Sequence, residues 1–140
     1  MDKNKIKAYA PQARKELIAA VSAKAQVLGL SAERIEPVEV KGDVALIAGR
    51  PFPRAVAGQR RNLEAAINRE GFGVVMERIA FTWFNRFSAL RYMEIHGFLD
   101  HGYRVLSHPS GGAIPEILEH ATDVELIGLD KEKVTELRLA

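Results

Sequence analysis

Apolar residues first recur at helical spacing at Leu17, Val21, Val27 and Leu28, with Ile18 beside them. Pro11 suits a first helical turn, where its missing N–H would have had no partner. Gly29 follows as a C-cap, so the pattern predicts a helix over 12–28. Ser31 can cap a short turn that Pro37 ends. Val38 and Val40 then alternate with charge, and Val44 to Ile47 is a small apolar run. Lys41-Gly42-Asp43 between them reads as a tight turn, which predicts a β-hairpin over 38–48. Such a hairpin is marginal alone and must pack on a helix.

Gly49 to Pro53 reads as a break in the strand pattern, and a helix is expected over 55–69, stopped by Gly71. The longest apolar pattern spans 73–96. Val75, Ile79, Trp83, Phe87 and Leu90 form one stripe, and Met76, Ala80 and Phe84 lie on the next. Cover this wide predicts a helix running through the centre of the fold, with its aromatics in the core. An aromatic loop with Phe98 and Tyr103 follows, then a Ser-Gly-Gly break and a short helix over 115–120 begun by Pro115. Asp130 is a good N-cap for a helix from Lys131 to Ala140. No glycine or proline closes that helix, as would suit a fragment of a longer protein. The expected class is mainly α, one N-terminal helical domain over 1–140 around a long central helix (73–96) with one small β-hairpin (38–48).

Composition sets bounds. The 140 residues are 47% hydrophobic and 27% charged, which are globular values. No run of eighteen apolar residues predicts a membrane span, and the first residues carry no apolar signal region. The absence of cysteine removes disulfides and thiolate metal sites, and is compatible with the cytoplasm. Charge is uneven. Residues 1–91 hold 16 Lys or Arg against 9 Asp or Glu, and residues 92–140 hold 4 against 9, so +7 and −5 sum to the net +2. A basic front and acidic back suggest an anionic partner or a basic one elsewhere; chance clustering on a solvated surface reads equally well.

Candidate chemistry is sparse. There is no nucleophile elbow, P-loop, zinc spacing or G-x-G-x-x-G turn. His96, His101, His108 and His120 lack the spacing of a metal pair, which favours structural roles. Glu94 and Asp100 could pair for acid–base work only if brought close with shifted pKa values. Asn85, Arg86 and Arg91 sit on a mostly apolar helix, where pairing with Glu94 or Asp100 would be structural. The best functional signal is arginine. Arg50, Arg54, Arg60 and Arg61 occur with no acidic residue between Val44 and Leu63, and Gln59 and Asn62 add neutral donors. Arg54 and Arg61, seven apart, would share a helix face. Side chains of this kind contact DNA phosphates; a solvated helix or an acidic partner domain accounts for them as well.

The stretch RIAFTWFNRFSALRYMEIHGFLDHGYRVLSHP at 78–109, with its distinctive TWFNRFSALRYME run, resembles the PglX family, the adenine-specific DNA methyltransferases of BREX bacteriophage exclusion. The lead MDKNKIKAYAPQARKELIAAV, RPFPRAVAGQRRNLE at 50–64 and the end of the chain from Pro115 resemble the same family in the same order. The resemblance implies a much longer parent enzyme. That parent would transfer a methyl group from S-adenosylmethionine to adenine in double-stranded DNA and so mark host DNA. The family's glycine-rich cofactor turn and N/D-P-P-Y/F segment are absent from these residues, so no catalytic, cofactor-binding or metal residue carries over. The expectation is a non-catalytic N-terminal domain that supports its own methyltransferase domain and touches phosphate through the arginines. A protein-interaction module docking other BREX subunits, without DNA contact, is the alternative.

Overall fold

A computed structural model describes residues 3–124 and 130–139. They form α1 (Lys3–Val27), β1 (Val38–Lys41), β2 (Val44–Ile47), β3 (Arg50–Pro53), α2 (Arg54–Glu70), α3 (Phe72–Ile95), α4 (Glu116–His120) and α5 (Lys131–Leu139). The mainly α class with a small antiparallel sheet is as expected. The chain divides into two compact units, Met1–Phe84 and Asn85–Ala140. Among the described residues no helix is long and apolar enough to cross a membrane.

In the first unit, α1 begins well before the expected residue 12 and carries Pro11 inside it. Proline there removes one backbone bond. The lysines and alanines before it are strong helix formers and carry the helix across the gap. The C-terminus is closed as predicted. Leu30 N–H donates to Ala25 O (3.0 Å) and Gly29 N–H to Gln26 O (2.9 Å), the two bonds of a Schellman motif. Gly29 is left-handed at φ +68, and a Cβ there would come within 2.8 Å of Glu36 Cβ. Gly29→Ala is therefore expected to cost about 2 kcal/mol, from left-handed strain plus the clash. The check is the urea midpoint; an unchanged midpoint would refute the packing argument.

The sheet has order β1-β2-β3, with both pairs antiparallel. The first hairpin is the expected one. The third strand is a correction, because 49–53 reads as a break in the sequence. Ala48 (φ +49) and Gly49 (φ +74) form a two-residue turn that returns the chain along β2. Pro51 and Pro53 fit because they lie on an edge, opposite Leu46 and Val44. Ala45 and Ile47 of β2 are fully buried, and α2 packs on all three strands.

The core of this unit joins Ala25, Leu30, Ile67, Val75 and Met76, with Val21, Leu63 and Ile79 against them. Full burial of each larger side chain stabilises by roughly 1.5–3 kcal/mol. Helix α3 thus contributes Val75, Met76 and Ala80 to the interior. Its aromatics depart from expectation: Trp83 is 43% and Phe87 41% exposed, and Phe84 is only half-buried. Among the described residues the buried apolar side chains of α3 are Val75, Met76 and Ala80, fewer than the apolar pattern predicts. At the α2–α3 junction Glu70 accepts from both Arg69 and Arg78. The Arg69 hydrogen bond, with the charges of Arg78 and Arg69, holds its carboxyl below the usual range against the desolvation that raises it.

In the second unit the end of α3 grips the segment that follows it. Glu94 is 6% exposed. Its Oε1 accepts from Arg91 Nη1 (2.5 Å) and Ser107 Oγ (3.0 Å), and its Oε2 from Leu106 N–H (2.9 Å). The same segment meets the start of α4: Ile117 N–H donates to Arg104 O (2.9 Å) and Arg104 N–H to Glu116 Oε2 (2.9 Å). Helix α4 packs on α5. Asp130 caps α5 as predicted, accepting from Glu132 N–H (3.1 Å) and Lys133 N–H (3.2 Å). Ala140, expected to end that helix, lies outside the described residues.

Candidate functional site

The four arginines of the predicted cluster do not form one site. Arg60 is 3% exposed and its guanidinium is used internally. Nε donates to Leu28 O (2.6 Å), Nη1 to Glu64 Oε2 (2.8 Å) and Nη2 to Glu36 O (2.5 Å). It ties the end of α1 and the lead into β1 to α2, and offers nothing to a phosphate outside. The i, i+4 spacing to Glu64 was the sequence signal for this role.

Arg50, Arg54 and Arg61 are exposed. Arg50 starts β3 and lines a depression with Ala23, Gln26, Val27 and Ala48. Arg54 starts α2, where its N–H donates to Asp43 O (2.9 Å) and its Nη1 lies 3.4 Å from Gly42 O. Arg61 lies two turns further along α2 and lines a different groove of about 220 Å³ with Glu36, Val38, Val40, Ala57 and Glu64. The two carboxylates in that groove are engaged, Glu36 by Arg34 (3.0 Å) and Glu64 by Arg60 (2.8 Å). Arg61 therefore leaves the groove locally positive.

Two further grooves between α1 and α3 are almost wholly apolar, with Leu17 common to both. One is crossed by an ion pair between Arg14 and Glu77.

The remaining candidates fall into structural contacts. Glu94 is bound to Arg91, one of the two pairings considered for that arginine, while Asp100 is exposed. Burial raises the Glu94 pKa, but hydrogen bonds from Arg91, Leu106 N–H and Ser107 and the Arg91 charge more than offset it, so the net shift is downward. That keeps the carboxylate ionised, whereas a general acid near neutral pH needs its pKa raised. His120 stacks on Tyr103 at 4.1 Å between ring centres, and His101 Nδ1 accepts from Tyr103 N–H (3.1 Å). His96 packs against Tyr92 (4.3 Å), and His108 lies 3.5 Å from Glu119. Among the described residues no three His, Cys, Asp or Glu side chains gather as a metal site.

No family model matches the chain. Curated relatives do. It is 38% identical, over 147 aligned positions, to the adenine-specific methyltransferase BrxX of Escherichia coli O9:H4 (strain HS), covering 100% of this chain and 12% of the relative. It is 33% identical to the adenine-specific methyltransferase PglX of Lacticaseibacillus casei (strain Zhang), covering 89% of this chain and 11% of the relative. The chain thus matches the N-terminal region of the BrxX/PglX adenine-specific methyltransferases and spans only a small part of their length.

Proposed function

We propose that this chain is a non-catalytic N-terminal region of an adenine-specific DNA methyltransferase. The whole enzyme would use S-adenosylmethionine and mark host DNA in the cytoplasm for bacteriophage exclusion, alongside other BREX subunits. The observation that carries this reading is the similarity, at 38% and 33% identity over 100% and 89% of this chain, to a small N-terminal part of two much longer methyltransferases. The chain's own part is to support the methyltransferase domain and to touch DNA phosphate.

Phosphate contact falls to Arg50 and Arg54, the exposed cations at the start of β3 and at the start of α2 just after it. Arg60 is internal, and Arg61 faces the groove beside β1. In a protein carrying both this region and the methyltransferase domain, Arg50→Gln with Arg54→Gln should weaken duplex binding. It should also lower the slope of log affinity against log salt by about 0.9 for each phosphate no longer neutralised. Arg61→Gln should leave the slope unchanged. An unaltered slope in the double variant would refute the DNA contact while leaving the family match intact.

A further inference from the structure

The two edges of the small sheet differ chemically. In a two-residue hairpin the residues flanking the turn form a hydrogen-bonded pair, and pairs then alternate between bonded and non-bonded. On β3 this makes Arg50 and Phe52 the bonded positions, so Pro51 and Pro53 stand where backbone N–H groups would point away from the sheet. That edge offers a new strand no donor. On β1, Lys41 and Glu39 are the bonded positions, so the N–H and C=O groups of Val38 and Val40 point outward. Among the described residues no hydrogen bond reaches the N–H of either valine.

Val38 and Val40 oppose Ile47 and Ala45, the buried residues of β2, so their side chains lie on the face that packs on α2. Val40 is nevertheless 45% exposed and borders the groove with Ala57 and Arg61. The open edge thus combines unused backbone donors and acceptors, an uncovered apolar strip and one positive charge.

We infer that β1 is a docking edge for an extended acidic–apolar segment of another polypeptide, which adds as a fourth strand. The backbone of Val38 and Val40 sets the extended conformation. Inward residues of the added strand alternate, one apolar over Val40 and the next carrying a carboxylate to Arg61. A second copy of this chain fits poorly, because pairing of the two β1 edges would bring two Arg61 side chains to one groove. A DNA backbone has no N–H row to match the strand.

The test uses the whole chain and a synthetic eight-residue peptide, with threonine at outward positions and valine and glutamate alternating at inward ones. Amide exchange at Val38 and Val40 should slow about tenfold at saturation while Glu39 and Lys41 change little. Val40→Pro removes no hydrogen bond of the sheet, only an outward N–H and an exposed side chain, so it should leave thermal stability nearly intact and weaken peptide binding about tenfold. Arg61→Glu should weaken it similarly and serves as the second probe if the proline variant unfolds. No slowing with excess peptide, or full binding by the folded Val40→Pro variant, would overturn the proposal. So would protection of Val40 by self-association without peptide, or by a DNA duplex in an Arg61-dependent way.

Discussion

Arg60→Met is expected to lower the unfolding free energy by about 3–5 kcal/mol, because it deletes a buried cation and strands its partners. Methionine keeps the aliphatic volume, so the loss reports the hydrogen bonds and not a cavity. Leu28 O and Glu36 O would lose their guanidinium donors, and the Glu64 carboxylate its counterion. Glu64 is one-third exposed, so water recovers part of that last contribution. Thermal unfolding followed by far-ultraviolet circular dichroism should shift down by roughly 10 °C or more. Arg60→Lys should recover little, since an ammonium cannot span three acceptors in a planar fork. A melting temperature within two or three degrees of wild type would show that the carbonyls find water and that the fold does not depend on this residue.

Removing the Glu94 charge should have the next largest effect. Glu94→Gln leaves Arg91 without its ion partner and weakens the two hydrogen bonds by which Glu94 holds residues 106–107 to α3, for a loss of about 2–3 kcal/mol at neutral pH. The pH dependence has a defined sign. The folded carboxyl binds its proton at lower pH than the unfolded one, whose ordinary value is 4.5. Its contribution is therefore complete above that value and is lost as pH falls through the lower folded value. The stability gap between wild type and Glu94→Gln should be full at pH 7 and shrink below about pH 4. A gap that stays constant into acid would mean that the carboxylate charge is not what holds the segment. Comparing the two proteins at each pH cancels the similar acid response of Glu70.

Where local chemistry decides an element, the sequence pattern anticipates it. Helix α2 and the body of α3 fall within a residue of expectation because Gly71 and Gly97 punctuate strong helical runs. Asp130 and Gly29 cap as predicted because capping uses only near neighbours. The misses are tertiary. Pro51-Phe52-Pro53 looks like a breaker until β3 is known to be an edge, where the missing N–H groups cost nothing. The arginine run looks like one surface until the end of α1 and residue 36 close over Arg60. The apolar breadth of α3 suggests a buried helix, although its buried apolar side chains are Val75, Met76 and Ala80 alone among the described residues. Arg60–Glu64 and Arg91–Glu94 were legible as helical spacings, but whether such a pair is buried depends on residues distant in sequence.

The two turns of the sheet also differ in how they could form. The first places a glycine beside an aspartate, residues suited to tight reversal, between strands only two residues apart. The second bends through Ala48, a residue with a Cβ in the left-handed region, which is disfavoured by roughly 1–2 kcal/mol without neighbours to hold it. An isolated β2–β3 ribbon would therefore open more often than it closes. Closure of the second turn is therefore expected to depend on α2, which continues directly from β3 and packs on it.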